Sequence, residues 1–322
     1  MQVLKRISLA ASLALLGAAP SFAGAAQPEA VRTTPISTPL GTGAFKAIME
    51  VDPGLPTHTV YRPANLAALG GQKLPIVAWG NGSCANAGNR FRWFLSEIAS
   101  HGYLVLAVGP IGSAEQEKGP VPGNLKVGAP APASTAGPPA SHSSQLIDAI
   151  DWAIKENGRA GSPYRGRIDT THIAAMGMSC GGAQAIEASF DPRVTTTVAW
   201  NSGLFPDPTT MAGGKVLTKD DLKRLHAPIA YISGDILDVA YPNANDDFEK
   251  LNGIPVFRAY RKNTYHEGTY GEPNGGAFAP VGVAWLDWRL KGDKAAAGMF
   301  VGADCGLCRD AAWVARSKNL VR

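Results

Sequence analysis

The stretch that most constrains this chain is the pentapeptide at residues 177–181, which reads Gly-Met-Ser-Cys-Gly. An apolar run over 173–176 precedes it, and the small residues 182–188 follow it in a pattern typical of a helix. A strand, a tight turn and a helix in this order form the context in which a G-x-S-x-G pattern indicates a nucleophile elbow. The glycines allow the flanking backbones to approach closely, so the strained turn exposes the hydroxyl of Ser179.

The length allows one large α/β domain or two small domains, and the composition indicates a globular rather than a disordered chain. The chain has 322 residues, of which 45% are hydrophobic and 17% charged, and this is enough for a well-buried core. The formal charge of +4 is spread along the chain. A nucleic-acid partner would need a clustered basic stripe, so the composition argues against one. We expect a monomer.

Residues 1–23 have the three parts of a secretory signal peptide. A positive start is followed by an apolar run over 7–19 and by small residues that predict cleavage after Ala23. The alternative is a membrane anchor, but the apolar run is too short to span a bilayer. The sequence therefore predicts a periplasmic or secreted protein without a membrane span. A flexible lead-in is expected over 24–42.

Apolar runs that alternate with amphipathic stretches predict an α/β fold. First strands are expected within 45–61. Further strands are predicted over 74–79, 103–108, 173–176, 194–200, 228–233 and 256–260, and helices over 90–100, 144–155, 217–225 and 281–290. Short turns between these elements favour a mostly parallel sheet with helices on both faces, formed by one domain over 43–322. The Gly- and Pro-rich run 112–141 is predicted as a loop, either a flap beside the site or a variable surface insertion.

A serine hydroxyl becomes a strong nucleophile only when a base and an orienting acid act on it. In this architecture the order along the chain is serine, acid, histidine. Only His266, of six histidines, lies beyond the last plausible acid and in a loop after a strand. The acid should follow the strand that ends at Ser233, where Asp235 and Asp238 are both candidates. Asp238 is favoured because it lies deeper in the loop, whereas Asp235 can cap the turn.

The oxyanion of an acyl-transfer intermediate needs N–H donors that are already in place. One donor is the backbone N–H of Cys180, and the other is assigned to Ser83 in the glycine-rich loop after the strand 74–79. Trp79 and Trp200 end strands on the expected active edge, and Tyr241 lies just beyond another strand. These aromatic residues are candidates to line a substrate pocket, and the alternative for each is a place in the core.

Four cysteines in an exported protein suggest two disulfides, for which three pairings exist. Cys305 and Cys308 form a C-x-x-C pattern, and no second pattern or downstream histidine completes a zinc site, so a local clasp is favoured. We predict no metal and no cofactor. Cys84 and Cys180 remain, each beside a proposed oxyanion donor. A disulfide between them would fix the separation of the two donors, and the alternative is two buried free thiols.

Several stretches resemble the α/β-hydrolase fold, specifically the branch of secreted bacterial polyesterases, cutinases and lipases, which is related to dienelactone hydrolases. The matching stretches are 99–106, 162–170, the elbow, and the acid loop 238–242, which looks like the D-x-x-x-P loop of that branch and favours Asp238. The resemblance covers about residues 45 to 291. It implies a serine hydrolase that cleaves small-molecule or polymeric carboxylic esters through an acyl-enzyme.

The chain departs from that branch at three positions near the serine. Met178 and Cys180 stand where the branch carries Trp and Met, and Ser83 stands where it carries an aromatic residue. Those aromatic residues clamp aromatic or polymeric esters. The leading interpretation is therefore a serine esterase, with a lipase or cutinase-like polyesterase as the second. A peptidase of the same fold and an inactive hydrolase-like binding protein are the remaining alternatives.

Overall fold

A mixed sheet with a parallel centre organises the protein. A computed structural model describes residues 38, 40–113, 140–208 and 216–321, and within them the sheet has nine strands. These are Ala47–Glu50 (β1), His58–Pro63 (β2), Leu74–Gly80 (β3), Leu104–Val108 (β4), Ile168–Met178 (β5), Thr196–Trp200 (β6), Ile229–Gly234 (β7), Val256–Arg261 (β8) and Trp313–Lys318 (β9). The spatial order is β1-β2-β4-β3-β5-β6-β7-β8-β9. Strands from β4 to β8 pair in parallel, whereas β1, β2 and β9 join antiparallel.

Helices cover both faces of this sheet. On one face lie Arg92–Ser100 (α1) and Phe278–Lys291 (α5), and on the other lie Ser144–Gly158 (α2), Cys180–Ala188 (α3) and Tyr241–Lys250 (α4). A short helix, Gly306–Arg309 (α6), precedes β9. The architecture is the α/β-hydrolase fold, so the predicted fold class is confirmed.

Burial on both faces explains why the central strands are unbroken apolar runs. All seven residues of β3 are buried. Successive side chains of a strand point to opposite faces, and here Val77 joins the core beneath α1 and α5 while Ile76 joins the core beneath α2. Parallel strands covered by helices on both sides need apolar residues at every position.

The structure differs from the predicted elements in four details. Helix α4 begins inside the stretch that was expected to be entirely loop, because Pro242 suits the first turn of a helix and the rest of the segment is too polar to show a strong apolar period. The helix predicted over 217–225 is the 3-10 helix Lys219–Arg224. Strand β5 begins at Ile168, five residues before the strand predicted over 173–176. The edge strand β9 was not predicted, because its exposed basic residues interrupt any apolar run.

The described residues from 40 to 321 belong to one compact unit that spans Arg32–Arg322. The predicted signal peptide and almost all of the lead-in lie outside the described residues, as does the part of the predicted loop over 114–139. No helix in the described part of the chain is both long enough and apolar enough to cross a membrane.

Candidate active site

Ser179 lies at the tip of the turn between β5 and α3. Its backbone has φ 55° and ψ −120°, a conformation that costs a non-glycine residue about 1–3 kcal/mol and persists only when its surroundings enforce it. The Ser179 N–H donates to the carbonyl of Trp200 at 2.9 Å, and the hydroxyl of Ser202 donates to the carbonyl of Ser179 at 2.7 Å. The end of β6 therefore holds the elbow in its strained form.

Two glycines permit this turn because the backbones beside it are almost in contact. A Cβ at Gly177 would overlap the backbone of Gly181, and a Cβ at Gly181 would overlap the backbone of Gly80. Only glycine fits at such close approaches. The elbow consequently packs directly on the end of β3, where the loop with the predicted oxyanion donor begins.

The serine, histidine and acid predicted from the chain order lie together in the structure. The Nε2 atom of His266 is 2.9 Å from the Oγ atom of Ser179, and the Nδ1 atom of His266 is 2.7 Å from Oδ1 of Asp238. The three residues follow β5, β7 and β8, so the carboxyl ends of parallel strands bring them to one edge of the sheet. His266 is 5% exposed and Asp238 is fully buried.

Four donors saturate the carboxylate of Asp238. Oδ1 accepts from His266 and from the N–H of Ala240 at 2.9 Å. Oδ2 accepts from the amide of Asn201 at 2.8 Å and from the N–H of Gly234 at 3.1 Å. Burial acts to raise the pKa of Asp238, but the hydrogen bonds and His266 outweigh it and hold this pKa below its usual value. The ionised carboxylate can only accept, so the proton of the neutral imidazole lies on Nδ1 and Nε2 faces Ser179 as an acceptor.

Asp235, the other candidate acid, instead accepts backbone hydrogen bonds within its own loop and from the loop after β8. Its carboxylate accepts from the N–H groups of Leu237 and Asn263, both at 2.9 Å. Four of the remaining histidines have partners of their own, as expected for structural roles: the carbonyl of Gln145 for His58, Glu97 for His101, Asp169 for His172 and the carbonyl of Val194 for His226.

A disulfide joins the loop after β3 to the elbow. Cys84 is bonded to Cys180, with their Cα atoms 5.3 Å apart, and Cys305 is bonded to Cys308. Ser83 and Cys84 have φ values of 58° and 49°, which turn the loop tightly. Cys180 opens α3 and directly follows Ser179. The N–H groups of Ser83 and Cys180 thus stay our prediction for the oxyanion donors.

Asn81 holds the same loop in place through hydrogen bonds of its buried side chain, a role that was not predicted from the sequence. The side-chain NH2 of Asn81 donates to the carbonyls of Ala85, Ala87 and Val108 at 2.9, 3.1 and 2.7 Å. Its Oδ1 accepts from the indole N–H of Trp79 at 3.1 Å. A polar residue directly after a buried strand is the signal that could have found it.

Of the two alternatives for Trp79 and Trp200, a substrate pocket or the core, the structure supports the core. Both side chains are fully buried in the core beneath α1 and α5. Phe94 lies 5.4 Å from Trp79 and 5.1 Å from Trp200, and Tyr270 lies 6.4 and 6.2 Å away, between ring centroids. The two indoles therefore pack in the core beneath the site and present no surface to a substrate.

Tyr241, the third pocket candidate, is half-buried at the start of α4. Its ring lies 5.3 Å from the ring of Tyr260 and 5.0 Å from the guanidinium of Arg258. Its place in a pocket stays a prediction.

A family model matches part of the chain. Residues 131–206 match the PETase family, described as PET hydrolase-like. The match spans 76 of the 322 residues and includes β5, Ser179 and β6, but neither Asp238 nor His266. No curated protein matches the chain. The match and the fold confirm the resemblance to the polyesterase branch of the α/β-hydrolases, and they support a hydrolase that acts on esters.

The disulfide beside the elbow gives a prediction for stability and rate. We expect Cys84→Ser/Cys180→Ser to lower the free energy of unfolding by about 3–5 kcal/mol, because the bond closes a loop with a sequence separation of 96. We expect kcat for a soluble ester to fall about 10- to 100-fold, since one N–H donor is no longer held in place. Urea denaturation and steady-state kinetics measure the two effects.

Cys305→Ser/Cys308→Ser is the matched control, because that disulfide has a sequence separation of 3. It should cost less stability and leave kcat unchanged. Equal kcat values for wild type and Cys84→Ser/Cys180→Ser would show that the disulfide does not position the donors.

Proposed function

We propose that this α/β-hydrolase is a serine esterase that cleaves carboxylic esters through an acyl-enzyme. One observation carries the proposal: an unbroken hydrogen-bonded chain runs from buried Asp238 through His266 to Ser179 on a strained elbow. Such a chain is the arrangement that activates a serine hydroxyl. The match to the PET hydrolase-like family favours esters over peptides as the substrate class.

In the first half-reaction, Oγ of Ser179 attacks the ester carbonyl carbon while Nε2 of His266 takes the hydroxyl proton. The negative charge moves to the carbonyl oxygen, where the N–H groups of Cys180 and Ser83 would donate to it. The intermediate then collapses, the bond to the alcohol oxygen breaks, and His266 gives its proton to the leaving alcohol. Asp238 stabilises the imidazolium that exists between these two proton transfers.

In the second half-reaction, water replaces the alcohol. His266 takes a proton from the water as its oxygen attacks the acyl carbon, and then returns that proton to Oγ of Ser179 as the carboxylic acid leaves. Each turnover consumes one ester and one water, and it yields one acid and one alcohol. The proposed reaction involves no cofactor.

Hydrolysis of short p-nitrophenyl esters tests this function. We expect the wild type to hydrolyse the acetate and the butyrate, and to lose this activity after treatment with an organophosphate that phosphorylates reactive serines. An inactive hydrolase-like binding protein would hydrolyse neither ester and would not react with the organophosphate. Either of these negative results would overturn the proposed function.

A second candidate, a lipase or polyesterase, is favoured by the surface of the acid loop. Ile236, Leu237 and Val239 flank the buried Asp238 and are 56%, 43% and 40% exposed. Adjacent exposed aliphatic side chains at the edge of a site are typical of surfaces that bind apolar material. These three residues form what we call the aliphatic rim, and they favour a water-insoluble ester such as a lipid droplet or a polyester film.

Changing the aliphatic rim should separate soluble from insoluble substrates. We expect Ile236→Ser/Leu237→Ser to lower hydrolysis of a tributyrin emulsion or a polyester film about three- to tenfold, because less apolar area leaves water on adsorption. Hydrolysis of soluble p-nitrophenyl acetate should change less than about twofold, because neither side chain bonds to the triad. A pH-stat and a film-weight assay measure the first quantity, and absorbance measures the second.

Val216→Ser is the matched control, since Val216 is an aliphatic residue that is also 56% exposed but lies outside the acid loop. Equal losses on soluble and insoluble esters in the rim variant would contradict the rim as a substrate surface.

A further inference from the structure

Asn201 links the two loops that carry the acid and the histidine, and the mechanism above does not use it. It directly follows β6, is fully buried, and has φ 41°. Its side-chain NH2 donates to Oδ2 of Asp238 at 2.8 Å and to the carbonyl of Tyr265 at 3.1 Å. Since Tyr265 precedes His266, one amide group holds both loops at the end of the neighbouring strand.

Tyr270 sets the orientation of that amide. The phenol of Tyr270 donates to Oδ1 of Asn201. Burial, together with the nearby charge of Asp238, raises the pKa of Tyr270 well above its usual value, so the phenol keeps its proton. Because Oδ1 accepts from the phenol, the NH2 of Asn201 must face Asp238.

The ring of Tyr270 has little freedom to move. Its centroid lies 5.2 Å from that of Phe91 and 5.3 Å from those of Phe94 and Phe278, each in an edge-on contact. Aromatic contacts of this kind fix the ring plane and therefore the direction of its hydroxyl. The core beneath the sheet thus determines where the amide of Asn201 points.

We propose that Asn201 and Tyr270 form a positioning pair, which holds Asp238 and His266 in the alignment that proton transfer from Ser179 requires. This inference rests on the proposed function. Neither residue bonds to Ser179, so both act through other side chains and not on the reacting atoms.

Loss of the amide would remove one hydrogen bond from each of these partners. Oδ2 of Asp238 would then accept only from the Gly234 N–H at 3.1 Å. The carbonyl of Tyr265, which precedes His266, would lose its hydrogen bond from Asn201 at the end of β6. The titratable groups that interact with Asp238 include His266, Tyr270 and the buried guanidinium of Arg258. A displacement of about 1 Å in such an array can cost about 10²-fold in rate.

Asn201→Gly tests the pair without adding backbone strain, because glycine tolerates the positive φ at this position. We expect kcat for p-nitrophenyl butyrate to fall about 10- to 100-fold. KM should stay within about threefold, because the amide acts on proton transfer rather than on substrate binding. Tyr270→Phe should lower kcat in the same way but by less, since the amide then loses only the group that orients it.

Asn201→Asp should change the pH dependence of activity in a way that a substitution at a purely structural asparagine would not. The introduced carboxyl can donate to Asp238 only while it is protonated, and burial beside a carboxylate raises its pKa. Activity relative to wild type should therefore be highest in acid and should fall as the pH rises and the carboxyl ionises. A constant ratio across the pH range would contradict a role in holding Asp238.

Asn319→Gly is the matched control. Asn319 also has a left-handed backbone, with φ 53°, and donates to the carbonyls of Asn252 and Ile254 before β8, at the opposite end of the sheet. We expect it to leave kcat unchanged. Circular dichroism checks that each variant is folded. If Asn201→Gly is not folded, Tyr270→Phe and Asn201→Asp test the proposal instead.

Proton NMR separates this inference from the proposed function. The Nδ1–H of His266 should give a downfield resonance that is missing in His266→Ala, and Asn201→Gly should shift or broaden it. An unchanged resonance together with unchanged kcat overturns the positioning pair while ester hydrolysis by the wild type still stands. A wild type that hydrolyses no ester overturns the proposed function, and the resonance then still decides whether Asn201 aligns Asp238 with His266.

Discussion

Ser179→Ala is expected to lower kcat for p-nitrophenyl butyrate by about 10⁴- to 10⁶-fold. The substitution removes the proposed nucleophile, the atom that would form the acyl-enzyme, and leaves Asp238 and His266 unchanged. The oxyanion donors and the binding surface remain, so a residual rate above that in water is expected. Active-site concentration and steady-state kinetics at saturating ester provide the measurement.

Ser317→Ala is the control for this substitution, because Ser317 is an exposed serine on the edge strand β9. It should leave kcat unchanged. If Ser179→Ala kept kcat within about tenfold of the wild type, catalysis by a serine on the elbow would be excluded.

Asp238→Asn has the second-largest expected effect, a fall in kcat of about 10⁴-fold at neutral pH. An amide can donate to Nδ1 of His266, which then accepts and carries its proton on Nε2. In that tautomer His266 cannot take the proton of Ser179, although every heavy atom keeps its place. Initial rates on a soluble ester measure the loss, and circular dichroism verifies that the variant is folded.

Asp235→Asn makes this prediction specific. Asp235 is the other acid of the same loop, and its carboxylate accepts from the backbone N–H groups of Leu237 and Asn263. We expect Asp235→Asn to keep kcat within about fivefold of the wild type, since it only weakens a loop cap. The reverse pattern, with Asp235→Asn the more damaging, would move the acid role to Asp235.

The positions of Ser179, Asp238 and His266 could be predicted because they depend on local pattern and chain order. The glycines of the elbow identify the turn, and parallel strands place their carboxyl ends at one edge. Only one histidine follows the last candidate acid, so chain order alone selects His266. Neither the elbow nor the chain order depends on which side chains touch.

The supporting residues could not be predicted, because their roles depend on contacts between distant segments. The amide of Asn201 is oriented toward Asp238 because the phenol of Tyr270, 69 residues later in the chain, donates to its Oδ1. That Asn201 is a polar residue after a buried strand could be seen in the sequence, but its hydrogen-bond partners could not.

The place of Trp79 could not be decided from the sequence for a related reason. Both faces of β3 are apolar, so the sequence does not reveal which face an aromatic residue at its end joins. The structure places Trp79 in the core with Val77.

The most direct test of the account is to identify the residue that carries the covalent adduct. The protein should be treated with diethyl p-nitrophenyl phosphate, digested, and examined by tandem mass spectrometry. We predict one adduct, on Ser179 within the peptide that contains residues 177–181, and a much slower reaction in His266→Ala. An adduct on another serine, or ester hydrolysis that continues with Ser179 unmodified, would contradict the account.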